Sequence, residues 1–366
     1  MSATRQELEL QSDRIEMVLS NHKAPARVTG GVVTPRVVQF HLSPAAGTRI
    51  NKLQTLTDEL ALALGATNVR VSRQGGNVQL EVPRDDARPV KLMPLMSRLA
   101  QGKSFAPGTA VLGMCEDGAP LLVRLPSPDV AHVLISGTTG SGKTALCQAI
   151  ILSLAMTHRR SQLQFVLVDP KQRAFAPFAA LPHLLRPVVA DGIEAAGVLA
   201  DLVRLMEARG PGKQLVEPRI VLMLDELADL VLVAGKALSD PLTRLVQRGR
   251  EAGIHVVACT QKPSSQVMGT LIRANFPTRL VGKVVSPEDA RVASGVGGTG
   301  AEKLVGRGDF LAVAAGQVIR FQAAYTSQAE VEQLVAQMGS APQRWDILRG
   351  RPSLLRQAAS VWTGAG

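Results

Sequence analysis

Gly137-x-x-x-x-Gly142-Lys143-Thr144 concentrates more chemistry than any other stretch of this 366-residue sequence. Gly137, Gly140 and Gly142 let a backbone curl with its N–H groups inward, where they can cradle a β-phosphate. Lys143 is suited to reach the β- and γ-phosphates, and the Thr144 hydroxyl to ligate Mg²⁺. Thr138, Thr139, Ser141 and Ala145 complete the expected nucleotide-binding positions. Val133 to Ser136 before the loop reads as a buried strand. The breaker-poor run from Ala145 to Met156 reads as a helix whose N-terminal dipole faces the phosphates. Together these residues imply that a nucleoside triphosphate binds.

Three further strand ends carry polar groups. Arg219 to Leu224 runs into Asp225-Glu226, placing two carboxylates at the carboxyl edge of a sheet, where ligands bind. Asp225 is suited to hold Mg²⁺, and Glu226 to polarise the water that attacks the γ-phosphate. Val256 to Cys259 leads to Thr260-Gln261, and Gln261 is a candidate sensor of that phosphate. Val166 to Lys171 has the same form, with Asp169 readable either as a functional acid or as a turn former before Pro170. Basic residues gather beyond the acid pair. Arg244, Arg248 and Arg250 fall on one predicted helix, followed by Lys262, Arg273, Arg279, Lys283 and Arg291. A γ-phosphate transfer site commonly takes a second cation from a neighbouring subunit, and others of these residues suit the backbone of a nucleic acid. For each taken singly, a solvated surface charge is the competing reading.

The elements that position these groups are legible in outline. Hydrophobic residues make up 46% of the chain and aromatics 3%, so the core must be built of Leu, Val, Ala and Ile, which suits a mostly parallel sheet covered by helices. Strand candidates at 132–136, 164–169, 219–224, 254–260 and 278–284 alternate with helical patterns at 143–157, 193–208 and 239–251. Strands around 309–314 and 317–323 precede a last helix from Gln328 to Met338. Upstream, an amphipathic helix is expected over 5–20, a breaker-rich connection over Asn21 to Thr34, and a strand over Val37 to Leu42. A helix over Leu53 to Leu64 and two strands, Val69 to Ser72 and Val78 to Val82, joined by a hairpin turn, complete that region. The expected division is an N-terminal helix or extension over 1–23, a small α+β domain over 24–125, an α/β nucleotide-binding domain over 126–338, and a basic tail over 339–366.

Forty-one Lys plus Arg against 30 Asp plus Glu give a net charge of +11, which points toward a polyanionic partner such as nucleic acid or an acidic membrane surface. Cys115, Cys147 and Cys259 match no metal or disulfide spacing and read as reduced core residues of a cytoplasmic protein. No stretch approaches the ~18 apolar residues of a membrane span. Five apolar residues, Ile347, Leu348, Leu354, Leu355 and Trp362, interleave with Arg344, Arg349, Arg351 and Arg356 in the tail. That pattern fits a partner-binding peptide or an interfacial helix as well as a flexible tail.

The order of the motifs resembles the motor of the FtsK/SpoIIIE family. The resemblance is carried by Gly137 to Thr144, Val168-Asp-Pro-Lys171, Pro182-His-Leu-Leu185 and Leu224-Asp-Glu-Leu-Ala-Asp-Leu230. Ala252-Gly-Ile-His255, Thr260-Gln-Lys-Pro263, Leu271-Ile-Arg-Ala-Asn275, Pro277-Thr-Arg279 and Gly306-Arg-Gly-Asp309 extend it. It implies a RecA-like P-loop ATPase core preceded by a smaller α+β domain, and a homohexameric ring that pumps double-stranded DNA using ATP and Mg²⁺. By the same resemblance, Lys143, Thr144, Asp225 and Glu226 form the ATPase centre and Arg250 enters the neighbouring subunit's site. Lys262 and Arg273 align with basic positions that touch DNA, and Arg291 is a further candidate, whereas Pro287 stands where relatives carry a lysine. The membrane spans, long linker and winged-helix module of septal translocases have no counterpart in the sequence. A stand-alone motor serving a plasmid, phage or other mobile element is therefore expected. A helicase, a packaging or processing motor with a nuclease or capsid partner, and an ATP-gated DNA-binding scaffold are the alternatives.

Overall fold

The computed structural model describes residues 5–33, 37–66, 68–74, 77–84, 89–101, 105–210, 217–261 and 274–340. The chain divides into two compact units, Met1–Pro89 and Val90–Gly366. In the first, helix α1 (Arg5–Asn21) is followed by strands β1 (Ala26–Val33) and β2 (Val37–Pro44). Helices α2 (Ile50–Thr55) and α3 (Thr57–Leu64) and strands β3 (Arg70–Gln74) and β4 (Asn77–Pro83) complete it. The four strands form an antiparallel sheet in the order β1-β2-β4-β3. Val38, Phe40 and Leu42 alternate along β2, and Val78, Leu80 and Val82 along β4, so one sheet face is apolar and buries against Ile15, Leu19, Leu53 and Leu60. β3 and β4 pair antiparallel up to Gln74 opposite Asn77, and the expected turn at Gly75-Gly76 lies outside the described residues.

Several expectations are corrected here. Asn21 to Thr34 is not a plain connection, because β1 pairs with β2 through it despite Gly30 and Gly31. A Cβ on Gly31 would lie 2.5 Å from the Gln39 carbonyl oxygen, so the glycine permits a close strand approach. The helix over Leu53 to Leu64 is two helices that meet at Leu56. Helix α1 is no separate extension, since Ile15 and Leu19 belong to the small core.

The second unit begins with α4 (Leu92–Ala100), β5 (Thr109–Cys115) and β6 (Pro120–Arg124). The expected boundary at residue 125 places β5 and β6 with the small domain, but β5 pairs with a strand of the large sheet through Gly113 to Cys115. Strand β7 (Val133–Ser136), helix α5 (Lys143–Thr157), β8 (Leu163–Val168), α6 (Gly192–Arg209) and β9 (Arg219–Leu224) follow. Then come α7 (Leu227–Ala234), α8 (Lys236–Arg248), β10 (Ile254–Thr260), β11 (Thr278–Val281) and α9 (Pro287–Ser294). Strands β12 (Asp309–Ala314) and β13 (Gln317–Ala323) and helix α10 (Gln328–Ser340) close the unit. One nine-stranded sheet runs β6-β5-β13-β12-β11-β7-β10-β9-β8. The five strands from β11 to β8 are parallel, and the four on the other side are antiparallel.

β7, β8, β9 and β10 are buried along almost their whole length, as a sheet covered on both sides requires. One face packs on α5, α4 and α10 through Leu146, Ile150, Leu154, Leu95 and Val335. The other packs on α6, α7 and α8 through Leu199, Leu202, Leu230, Leu242 and Leu245. Helix α5 is buried nearly all round, and each Leu or Ile it removes from water contributes about 1.5–3 kcal/mol. That packing fixes the loop at its N-terminus. Helix α8 ends at Arg248, so Arg250 lies just beyond it rather than on it. Strand β11 stops at Val281, three residues short of its expected end.

Candidate active site

Strand β7 is flanked by β10 and β11, while the chain it leads into crosses to β8 at the far edge. The reversal leaves a crevice at the carboxyl end of β7, the place where open α/β sheets take ligands. The loop 137–142 follows β7 directly at that end. Gly142 caps α5 with φ +104°, and a Cβ there would come within 2.6 Å of the Gly308 nitrogen. No other residue type fits that position. The backbone pressed against it is Gly306-Arg307-Gly308, which joins the loop by Arg307 N–H to Gly140 C=O at 2.9 Å and Gly308 N–H to Ser141 C=O at 2.7 Å. Thr138 donates its N–H to the Lys283 carbonyl at 2.8 Å. The Gly140 and Ser141 carbonyls are thus bonded outward. The Ser141 and Ser136 hydroxyls are buried with no hydrogen-bond partner among the described residues. The glycine backbone held curled at the N-terminus of α5 suits a phosphate, the group its sequence implies.

Lys143 donates to the carbonyls of Gly137 at 2.7 Å and Thr138 at 3.1 Å. Burial pulls its pKa below the usual lysine value, and Glu226 and Asp225 among its neighbours oppose that fall. Thr144 stands exposed in the first turn of α5, with Ala145 half-buried beside it. Among the described residues no group of three or more His, Cys, Asp or Glu is placed to hold a metal by itself. The Thr144 hydroxyl and the Asp225 carboxylate are oxygen donors of the kind Mg²⁺ takes beside phosphate and water.

Asp225 follows β9, its N–H donating to the Val168 carbonyl at 2.9 Å. Burial, then Asp169 and Glu226, push its pKa up to about 6, while Lys143 and Lys171 pull it down. Glu226 is buried and holds a left-handed backbone, φ +53° and ψ +67°. A non-glycine residue there costs about 1–3 kcal/mol and persists where the surroundings over-determine it. Those surroundings are specific. Its Oε1 accepts from the Gln261 N–H at 3.0 Å and the Thr260 hydroxyl at 3.3 Å. The Gln261 side chain in turn accepts from the Thr139 hydroxyl at 2.9 Å. One chain of bonds therefore runs from the phosphate loop through Gln261 to Glu226.

The structure does not bring every candidate to this point. Arg250 precedes β10, at the edge of the sheet opposite Gln261, about 20 Å away along a seven-residue strand. There it lies 3.9 Å from Glu251. Arg291, on α9, pairs with Glu288 at 2.9 Å on the surface. Lys262 and Arg273 lie outside the described residues, as does most of the tail. Asp169 is a turn former: fully buried, it accepts from the N–H groups of Lys171 at 3.2 Å and Phe175 at 2.9 Å. Two contributors had no role assigned from sequence. The Gly306–Gly308 segment was visible only as a motif, and Lys171 only as the end of one; both act across long sequence separations that no local pattern reveals.

A profile of the FtsK/SpoIIIE family matches residues 100–214 and 209–265, and the FtsK alpha domain matches residues 1–84. The DNA translocase SftA of Bacillus subtilis is 33% identical over 360 residues, covering 91% of this chain and 37% of the relative. This chain belongs to the FtsK/SpoIIIE family. The DNA translocase FtsK of Caldanaerobacter subterraneus is 35% identical over 346 residues, covering 89% of this chain and 48% of its own length. The chain thus spans less than half of these FtsK/SpoIIIE relatives. Among solved structures, the cytoplasmic domain of the Thermomonospora curvata Type VII secretion ATPase EccC superposes with a TM-score of 0.56 at 25% identity, over 69% of this chain and 33% of that one. The pCW3 conjugation coupling protein TcpA, in a monomer form with ATPgS, gives 0.59 at 17% identity, over 90% and 99%. The FtsK/SpoIIIE core therefore has a P-loop ATPase fold. No described helix is long and apolar enough to cross a membrane.

Proposed function

We propose that this chain is an ATP-driven translocase of double-stranded DNA, working in the cytoplasm as a homohexameric ring and serving a mobile element. The observation that carries the reading is the placement of Glu226. Its buried carboxylate is aimed by Thr260 and Gln261 and tied through Gln261 to the phosphate loop. A chain that only gripped nucleotide would have no use for a strained, buried acid there. Lys143 and the loop amides would hold ATP, and Thr144 with Asp225 would hold Mg²⁺. Bound Mg²⁺ neutralises charge on the β- and γ-phosphate oxygens. Glu226 would accept a proton from the attacking water, and Gln261 would register whether the γ-phosphate is present. Residue 262 follows directly, so the register would pass into the segment holding Lys262 and Arg273, which together with Arg291 would grip DNA phosphates. The DNA translocase names of the relatives support that substrate. Arg250, remote from its own loop, would complete the site of the next subunit. The tail beyond 339 is the proposed place for a partner protein.

The test is ATP turnover with and without linear duplex DNA. Duplex DNA should raise turnover several-fold, more weakly as salt increases, and displace a triplex-forming strand. Lys143→Ala should abolish turnover and triplex displacement together. Turnover indifferent to every DNA would sink the motor reading in favour of an ATP-gated scaffold.

A further inference from the structure

Lys171 belongs to the Asp169-Pro170-Lys171 turn after β8, not to the loop or strand ends that form the nucleotide site. The buried Asp169 carboxylate shapes that turn by accepting the Lys171 and Phe175 N–H groups. Gln172 takes a φ of +51° within it. The result carries the Lys171 ammonium across to the start of α7. There it lies 2.8 Å from Asp229 Oδ2 and 4.0 Å from Glu226 Oε2. Glu226 is thereby flanked on two sides. Oε1 accepts from Gln261 and Thr260 on β10, and Oε2 faces the ammonium from β8. Lys171 is half exposed and has slack, whereas Glu226 is buried and has none.

Resting on the reading of Glu226 as the general base, we propose that Lys171 is its positioning residue. The lysine draws Oε2 to one side, so that the carboxylate keeps a single orientation relative to the phosphate loop. Asp229 takes the shorter contact of the ammonium, at 2.8 Å, but the lysine stays beside Glu226 without it. This role requires no contact between Lys171 and nucleotide. Loss of the lysine should therefore lower turnover and leave nucleotide binding intact.

The experiment compares DNA-stimulated ATPase kinetics and binding of a fluorescent ATP analogue in wild type, Lys171→Met, Lys171→Arg, Asp229→Asn and Glu226→Gln. Lys171→Met should lose about tenfold or more in kcat with KM and analogue affinity within about twofold of wild type. Lys171→Arg should recover most of that loss. Asp229→Asn should cost much less than Lys171→Met, because the carboxylate that matters is Glu226. Equal losses in Asp229→Asn and Lys171→Met would make the lysine a strut between the turn and α7 and overturn the inference. So would a Lys171→Met enzyme with wild-type kcat, or one whose KM rises at unchanged kcat. If Glu226→Gln itself turns over like wild type, the general-base reading fails instead, and the two failures are distinguishable. Analogue binding verifies the fold of each variant; should Lys171→Met not fold, Lys171→Gln takes its place with the same expectations.

Discussion

Two buried histidines set an acid limit on the parallel core. His132 accepts the Val256 N–H on Nδ1 at 3.0 Å, and His255 Nδ1 lies 3.1 Å from the Ala131 carbonyl, which makes that nitrogen the protonated one. His255 Nε2 then has a bare lone pair with no partner among the described residues. Burial, aided at both sites by the charge of Arg250, lowers His132 to about 3 and His255 to about 4. The unfolded chain takes up protons near pH 6.5 and the folded one does not, so stability is full above that value and falls as pH drops toward the folded pKa values. Each ring contributes a slope of about 1.4 kcal/mol per pH unit in that window. Asp225 acts in the opposite sense: raised to about 6, it protonates first in the folded state and offsets part of the loss. Urea midpoints should therefore fall between about pH 7 and about pH 5, and the fall should shrink in His255→Gln. At this scale the sequence singles out a residue where the proposed chemistry demands its type at a fixed spacing, as at Lys143 and Glu226. Asp169 stayed ambiguous because a turn-forming carboxylate and a catalytic one have the same local signature; only the two N–H groups it accepts decide.

Among the elements, the segment that presses Gly306–Gly308 against the phosphate loop depends on a buried ion pair. Asp309 at the start of β12 accepts from Arg320 of β13 in two parallel bonds of 2.9 Å, and Arg320 also reaches Glu116 beyond β5 at 3.1 Å. The second carboxylate oxygen of Asp309 takes the Val305 N–H at 3.0 Å as well. Arg320→Met leaves a buried carboxylate unpaired and should cost about 3–5 kcal/mol in urea denaturation. Arg320→Lys should recover little, because a point charge cannot make both bonds. Nucleotide affinity should drop alongside, since the loop's outer carbonyls lose their fixed donors. The least legible elements were β1, β5 and β6. β1 carries two glycines, and β5 and β6 sit among Gly- and Pro-rich connections, so tertiary pairing and not local propensity makes them strands. Helix α7 was hidden by directly following the acid pair with a continuous apolar run.

For the molecule as a whole, the alternation of apolar runs disclosed the parallel half of the large sheet, since strands buried on both faces read the same from sequence as from structure. Of the antiparallel half, β12 and β13 coincide with the strands expected at 309–314 and 317–323, whereas β5, β6 and the order β6-β5-β13-β12, which joins distant parts of the chain, escaped. The distance between Gln261 and Arg250, at opposite ends of β10, has an outcome of its own. If Arg250 completes the site of a neighbour as proposed, each chain would give at one end of the sheet and receive at the other, which is head-to-tail association. Two dead proteins should then revive each other. Lys143→Ala chains keep a good arginine, and Arg250→Ala chains keep a good phosphate loop. Mixed in equal amounts, about a quarter of neighbouring pairs place both intact halves together, so turnover absent from either preparation should reappear in the blend. Complementation of this kind, scored simply by phosphate release, would show that the catalytic unit is the junction between chains and not the chain.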